Sequence, residues 1–595
     1  MYDYAAVHAV YTIPVATVLT VVAKPLLTKR DLYKIGFLIT IAVVYTIPWD
    51  SYLIRTGVWS YPPEAIIGPT LFSIPAEELF FFVIQTYITT LLQILFSKPV
   101  LFAAYLQNDT APGAHDLRLR HHVGQGVLLA SIVLSLLPDF QGKEGTYMKL
   151  ILLWASPVLL FLWSLSYPLL LALPRSKTWL PIWIPTLYLW VVDTIALHRG
   201  TWSITSGTKL GVVVWPHLEI EEAVFFLVTN TLVVWGAYAF DNAIAILDAF
   251  PNLFPTVPTW PSPLLMVQSL LVSRAKYDQN RLYGLTNALD VLAKKSRSFY
   301  LASGVFTGRL RIDLILLYGF CRVADDLIDD APNAEEAKQW IERFTSFLDA
   351  AYGTDSGATE VQRTLLRFPS AAQSVLSLLP VDRLPAKPLY ELLEGFKIDL
   401  EFSSTKRAPI QTVDDLERYA TCVAATIGKL CLSLVYFHAP DRDQQDAETR
   451  KRCIQAGTRM GRALQYINIT RDVTTDACAG RCYIPSEWFK EGSFARASDT
   501  EITQLRKRIL DTAFEIYANE RDAIESLPRY ARDGIRVAVE SYVEIGRVLE
   551  SRLERGLPLD FAGGGKKGRA SVPRLRRLLV GWKAMAGSRG AAVGM

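Results

Sequence analysis

The sequence predicts an all-α protein in two parts: an N-terminal polytopic membrane domain of about seven transmembrane helices, and a C-terminal helical domain of soluble character. Three observations predict this. Of 595 residues, 51% are hydrophobic and only 20% charged, against roughly 25% charge in soluble domains, and the apolar excess is concentrated in residues 1–250. From about residue 283 onward, apolar residues recur at i, i+3 and i+4, as in LDVLAKKSRSFYLAS and YVEIGRVLESRLERG, the period of an amphipathic helix. The membrane half also repeats itself, with both copies in one orientation. This composition excludes a disordered or collagen-like chain. A dispersed net charge of +4 gives no nucleic-acid footprint.

Seven segments approach the roughly 20 apolar residues that a bilayer core requires: about Ala5–Ala23, Ile35–Asp50, Ala76–Ser97, Val123–Pro138, Leu150–Leu173, Thr178–Leu197 and Glu221–Phe240. The opening MYDYAAVH has no basic stretch and no clear cleavage site follows, so the first segment reads as a membrane helix, not a signal peptide. With the N-terminus outside, the inner loops carry Lys24, Lys29, Arg30, Lys34, Lys98, Arg118, Arg120, Arg175 and Lys177. The outer loops carry Arg55, Lys143, Lys149, Arg199 and Lys209. The positive-inside rule then places the C-terminal half in the cytosol, on an endomembrane of the endoplasmic-reticulum kind. All six cysteines lie in that half, as expected of free thiols in a reducing compartment. Cys478 and Cys482 lack the further ligands of a zinc site.

The expected domains are residues 1–243 in the membrane, a linker over 244–284, the soluble domain over 285–560 and a basic tail over 561–595. PNLFPTVPTWPSP (Pro251–Pro263) holds five prolines and cannot be helical. The following LLMVQSLLV is too short to span; it lies along the membrane surface or packs on the soluble domain. Ala562–Ser571 reads as a flexible link that matches no phosphate-binding or dinucleotide fingerprint.

In the repeat, Asp50 is followed by Gly57, Trp59 and Ser60, and Asp193 at the same spacings by Gly200, Trp202 and Ser203. PAEELFFFVIQT (Pro75–Thr86) is answered by EIEEAVFFLVTN (Glu219–Asn230). The offsets are 143 (193 − 50) and 144 (221 − 77) residues. The second segment matches the sixth and the third matches the seventh. Four helices separate each pair, so the copies share one orientation, and the unmatched fourth segment restores the direction. Carboxylates within apolar helices are usually functional; the plain alternative is that they cap helices at the interface. Buried carboxylic acids hold a proton near neutrality. In a cavity rich in Trp and Phe such an acid can protonate an alkene, aromatic faces can stabilise the carbocation, and a second carboxylate can take a proton back. Glu77, Glu78, Glu221 and Glu222 are the candidate acids and bases, supported by Asp50 and Asp193. No GxGxxG follows a predicted strand and opens a helix, so no flavin or nicotinamide site is seen.

In the soluble half, CRVADDLIDD carries Asp325 and Asp329 on one helix face, and QYINITRDVTTDACAGRCYIP carries Asn468, Asp472 and Asp476 one per turn. Arg471, Arg481 and Tyr483 flank the second set. Two facing acidic helices repel unless cations lie between them. Oxygen-only ligands suit Mg²⁺ (or Mn²⁺) bridging carboxylates to phosphates, with arginines on the diphosphate oxygens. The implied chemistry is metal-assisted loss of diphosphate inside an apolar helical barrel.

These two motifs, with KKSRSFYLAS (Lys294–Ser303), GFKIDLEF (Gly395–Phe402) and YATCVAATIG (Tyr419–Gly428), resemble the phytoene and squalene synthases over about Leu285–Gly556. The resemblance implies an all-helical isoprenoid-synthase fold and head-to-head joining of two prenyl diphosphates through a cyclopropyl intermediate. It implies Mg²⁺ ligation by Asp325, Asp329, Asp472 and Asp476. Asn468 would lie near the second cluster, and Arg297, Tyr300, Arg322, Arg471, Arg481 and Tyr483 would contact diphosphate or shape the pocket. The two Glu-Glu-x-x-Phe-Phe blocks of the membrane half resemble the small, flavin-independent lycopene cyclases. Pro75 in the first block departs from Glu219 in the second, which leaves open which acid donates the proton. Both halves in this order resemble the fungal bifunctional lycopene cyclase/phytoene synthase family. That likeness implies geranylgeranyl diphosphate and carotenoid substrates, contact with membrane lipid, a β-ionone product, and a phytoene desaturase as the partner that links the two reactions. The alternatives are a squalene-type synthase on an unrelated membrane anchor, which would need a nicotinamide reductant, and a seven-helix receptor or retinal photoreceptor fused to an enzyme. The second lacks a lysine within Glu221–Phe240 for a Schiff base.

Overall fold

The computed structural model describes residues 3–109, 113–137, 143–353, 357–404, 408–440, 445–492, 494–557 and 572–590. The chain divides into two compact units, Met1–Leu282 and Tyr283–Met595. Each is taken by itself.

The first unit is built on α1 (Asp3–Ala23), α2 (Lys29–Arg55), α3 (Ala76–Ser97), α4 (Ala114–Leu136), α5 (Thr146–Ala172), α6 (Arg175–Arg199) and α7 (Ile220–Ala249). All but α4 are long and apolar enough to cross a membrane. The 23-residue α4 opens with His115, Asp116, Arg118 and Arg120 and turns apolar only beyond His122. The expected fourth span is thus the second half of this helix, and its end, Pro138, lies outside the described residues. A seventh helix of that length and apolarity, Val413–Phe437, lies in the second unit. Its Leu416, Tyr419, Leu430 and Leu434 are buried in that unit's core, so it reads as a core helix. A π-helical turn at His8–Thr12 widens α1 just before Pro14. A Thr28–Asp31 capping box starts α2, satisfying the first orphan amides.

The repeat is larger than its sequence motifs indicated: α1–α2–α3 corresponds to α5–α6–α7, with α4 unmatched between them. A two-residue antiparallel ladder joins the copies, pairing Trp59 with Ile204 and Ser60 with Ser203. The two serine hydroxyls lie 2.8 Å apart. Ser60 and Ser203 are equivalent residues, and antiparallel pairing of equivalents places a local twofold axis between them. Small hairpins, Thr70–Leu71 with Ile74–Pro75 and Val213–Trp215 with Leu218–Glu219, lead into α3 and α7.

At the opposite end of these helices a belt of ion pairs ties the bundle. Lys34 Nζ donates to both oxygens of Asp241, at 2.9 and 3.0 Å, and to Gln93 Oε1 at 3.1 Å. Arg30 pairs with Asp248 and Lys98 with Asp31. The sequence marks Lys34 only as a loop charge, because Asp241 and Asp248 lie past Phe240, where the apolar seventh segment stops. The helix α7 runs on to Ala249. Beyond the prolines, α8 (Pro263–Leu270) is capped by Ser262. Met266 clusters with Phe240 and Ala243, so α8 packs on α7 of the membrane unit.

The second unit continues with α9 (Gln279–Lys295), α10 (Arg297–Ser303), α11 (Gly308–Asp329), α12 (Ala334–Tyr352), α13 (Ala358–Leu365), α14 (Ser370–Leu376) and α15 (Ala386–Ser404). Then follow α16 (Val413–Phe437), α17 (Ala447–Cys478), α18 (Asp499–Glu520), α19 (Arg529–Glu554) and α20 (Arg574–Gly590). Among the described residues it has no strand. One core gathers Phe320, Phe344 and Leu389 between α11, α12 and α15. The other gathers Tyr466, Ile467, Ile509 and Val543 between α17, α18 and α19. Close approach of α16 and α17 depends on glycine: a Cβ on Gly461 would stand 2.8 Å from the Ala424 carbonyl oxygen. The basic tail carries a helix. In α20, Arg576 bonds Glu544 at 2.5 Å, and the Ala584 carbonyl accepts from Arg536 of α19. The glycine-rich link Ala562–Ser571 lies outside the described residues. All six cysteines are unpaired.

Candidate active sites

In the membrane unit, the two adjacent glutamates of each copy point to different partners. Glu77 Oε1 accepts from the Ile67 amide at 2.6 Å, and Glu221 Oε1 from the Leu210 amide at 2.6 Å. Ile67 and Leu210 differ by 143 residues, so the contact is repeated. These two glutamates fasten the hairpins. Glu78 and Glu222 both line one small chamber between the copies, whose walls include Trp59, Phe81, Trp202, Phe225 and Phe226. The parallel repeat brings them there, since each lies in the first turn of its helix.

Each chamber glutamate is met by a tyrosine from the first helix of its own copy. Tyr4 donates to Glu78, and Tyr147 donates to Glu222 at 2.7 Å. Tyr4 and Tyr147 again differ by 143 residues. That offset is the signal in the sequence that finds them. The copies then diverge. Tyr61 adds a second hydroxyl to the same oxygen of Glu78, at 2.9 Å, whereas the equivalent position holds Ile204. Asp193 lines the chamber and accepts from Trp202 Nε1 at 3.2 Å. Asp50 is fully buried, and neither of its oxygens has a hydrogen-bond partner. Free space in the chamber is about 30 Å³, room for a water or two.

In the second unit, Arg481 joins the two acidic motifs by donating to Asp329 Oδ1 at 2.9 Å. Arg322 pairs with Asp325 at 2.6 Å and Asp326 at 2.5 Å, and Lys295 also reaches Asp326. Arg471 holds Asp472 through two bonds, at 2.6 and 2.9 Å. Burial pushes the Asp325 carboxyl up to about 6, with Asp329 and Asp326 adding to the shift and Arg322 and Arg481 opposing it. Asp476 closes the same helix end, and Asn468 accepts from Tyr542. Tyr542 stacks on Phe299 at 5.2 Å, which ties the opening motif to the second acidic one. Tyr300 lies near the buried Arg311. Arg297 is exposed, and its charge is felt by Arg577 of α20.

A buried acid was missed. Asp399, in the GFKIDLEF stretch of α15, accepts from Tyr483 at 2.7 Å and from Tyr419 at 3.3 Å. The two tyrosine rings stack at 4.7 Å. Burial raises its carboxyl to about 7, against the two tyrosines and Arg481. Among the described residues no three acids, histidines or cysteines converge as a metal cage. The donors are carboxylate oxygens, largely neutralised by arginines. Such a set fits a cation shared between one or two carboxylates and phosphate oxygens, the usual habit of Mg²⁺.

The squalene/phytoene synthase family matches residues 292–576, and the lycopene cyclase family matches residues 4–96, which is the first three-helix copy. A bifunctional lycopene cyclase/phytoene synthase of Leptosphaeria maculans is 50% identical over 98% of this chain and 100% of its own length. Its namesake from Gibberella fujikuroi is 48% identical, over 98% of this chain and 99% of that one. The chain belongs to the bifunctional lycopene cyclase/phytoene synthase family. The Neurospora crassa member is 46% identical over 97% of this chain and 98% of its own. A crystal structure of a dehydrosqualene synthase matches with 22% identity and a TM-score of 0.40, over 53% of this chain and 100% of that one.

Proposed function

We infer that the two units divide the two activities of this family between them. The chain is a carotenoid-biosynthesis enzyme with phytoene synthase and lycopene cyclase activity. The membrane unit is the cyclase, and the observation that carries this is the pair of tyrosine-bonded glutamates in one aromatic chamber. Glu222, with a single hydroxyl donor, delivers its proton to the terminal alkene of lycopene. The ring closes by one carbon–carbon bond, and the faces of Trp59, Phe81, Phe225 and Phe226 stabilise the cation. Glu78, whose one oxygen takes two hydroxyl bonds, suits the carboxylate that removes a ring proton and leaves a β-ionone ring. Returning one proton from Glu78 to Glu222 resets the chamber, so no redox partner is consumed.

The second unit condenses two geranylgeranyl diphosphates to phytoene. Asp325, Asp329, Asp472 and Asp476 would hold Mg²⁺, which when bound offsets the charge of the departing diphosphate. Arg322, Arg471 and Arg481 exchange their carboxylate partners for diphosphate oxygens. The apolar core between the helices keeps water from the allylic cation. A desaturase acts between the two reactions. The positive-inside charges support a cytosolic second unit on an endomembrane.

The test is expression in bacteria that make lycopene, and separately in bacteria that make geranylgeranyl diphosphate, with pigment analysis. Glu222→Gln should abolish ring formation and spare phytoene, while Asp472→Ala should do the reverse. Either variant retaining the activity assigned to its unit would overturn the division.

A further inference from the structure

A long apolar cleft runs through the membrane unit between α2, α5 and α7, with a free volume of about 370 Å³. That falls within the range of small-molecule sites. Along α7 its wall extends from Phe225 to Ala243. Those 18 residues (243 − 225) rise about 27 Å at 1.5 Å each, close to the thickness of a bilayer's hydrocarbon core. Phe225 also walls the acid chamber, so the two spaces share one ring. Trp154 and Trp49 stack at 4.7 Å, and Trp49 stacks on Phe225 at 5.7 Å. An aromatic file thus leads from cleft to chamber. Halfway along, Gly236 keeps the cleft open: a Cβ there would already stand 3.2 Å from Leu38 Cδ2. Phe161 at its rim is exposed, which opens the cleft to lipid. The polar group Thr229 is satisfied within its own helix, bonding the Phe225 carbonyl at 2.6 Å, so this stretch of wall offers a guest hydrocarbon contact.

We propose that this cleft binds the extended polyene chain of the carotenoid substrate, and that Phe225 swings aside to admit its end group to the chamber. The proposal rests on the cyclase reading above. A long, apolar, lipid-opening cleft suits a rod-like hydrocarbon that has no headgroup to anchor at the surface. It also explains how a chamber with room for a water or two can treat a large substrate: only the end group enters, and the chain stays in the cleft. Gly236 lies 11 residues beyond Phe225 (236 − 225), about 16 Å along the helix. A plug there blocks a long chain and spares a short one.

The experiment uses the full-length protein in lycopene-containing membranes, with Gly236→Ala, Gly236→Val and Gly236→Phe. Each variant is given lycopene or a truncated analogue with the same end group and a chain too short to reach Gly236. Cyclisation of lycopene should fall at least tenfold in Gly236→Phe, and in graded steps through the smaller substitutions. The short analogue should be cyclised within twofold of the parent. Equal loss of both substrates across the series, or equal retention of both, would overturn the cleft assignment; a lipid tail as the true occupant gives equal retention. Glu222→Gln is run alongside. If that variant still cyclises either substrate, the chamber reading fails, whatever the Gly236 series gives.

Discussion

Glu77 and Glu78 stand side by side on one helical turn, yet one staples a hairpin amide and the other faces a chamber. The same split recurs at Glu221 and Glu222. Glu78→Gln should therefore lower cyclisation by about 10²–10⁴-fold, the usual worth of a general acid or base. Glu77→Gln, which keeps an acceptor for the Ile67 amide, should retain most activity; pigment yield per mole of purified protein distinguishes them. Tyr4→Phe and Tyr147→Phe test the hydroxyls. Each should slow cyclisation without unfolding the protein, and a variant at full speed would remove its tyrosine from the site. In the second unit, Asp399 offers a pH test. The folded state holds its proton up to about pH 7, whereas an unfolded chain releases it near 4. The folded state therefore binds more protons between those values, and stability falls as pH rises through this window. In Asp399→Asn this dependence should vanish, seen as a smaller drop in unfolding temperature between pH 5.5 and 7.5 than the parent shows. The carboxylates were legible in the sequence because charge within an apolar run stands out. The tyrosines that bond them were not, since one tyrosine among 26 carries no mark until the repeat offset is applied to it. Asp399 escaped for a related reason: a single acid in an amphipathic helix looks like a solvent face until the fold buries it.

At the scale of elements, spans and motif helices followed from period and composition, while their ends did not. Segment α7 was expected to end at Phe240 because Asp241 follows. The helix continues because Lys34 and Gln93 satisfy that carboxylate, a partner from 207 residues away. Long-range neutralisation of this kind is invisible to a window of residues. In the second unit, α16 and α17 touch through glycines, which places Asn468, Asp472 and Asp476 opposite the first acidic helix. Gly461→Ala should force the two helices apart. Overpacking of this kind costs about 1–3 kcal/mol, so a lowered unfolding temperature together with reduced phytoene formation is expected. Unchanged values of both would show that the contact is slack.

Across the whole molecule, two chemistries share a chain without sharing residues. Chelation of divalent metal should stop phytoene formation and leave ring closure of supplied lycopene intact. Assaying both products in one preparation, before and after chelation and again after adding Mg²⁺, checks this. Loss of both activities would mean that the units are coupled. The division into a lipid half and an aqueous half was plain from composition alone. The reach of the repeat was not, because only two of its three helices carry matching motifs.

The ladder that pairs Ser60 with Ser203 has a consequence for how the two copies can be joined. Surfaces that meet on a twofold axis close just as well between separate subunits, so the present pair has the geometry of a homodimer carried on one chain. Halves joined on one chain need not be alike. A tyrosine on one side and an isoleucine on the other, Tyr61 against Ile204, is a freedom that identical subunits lack, and it gives the twin acids different hydrogen-bond surroundings. Severing the chain within α4 should accordingly yield two fragments that reassemble into a working pair when made together.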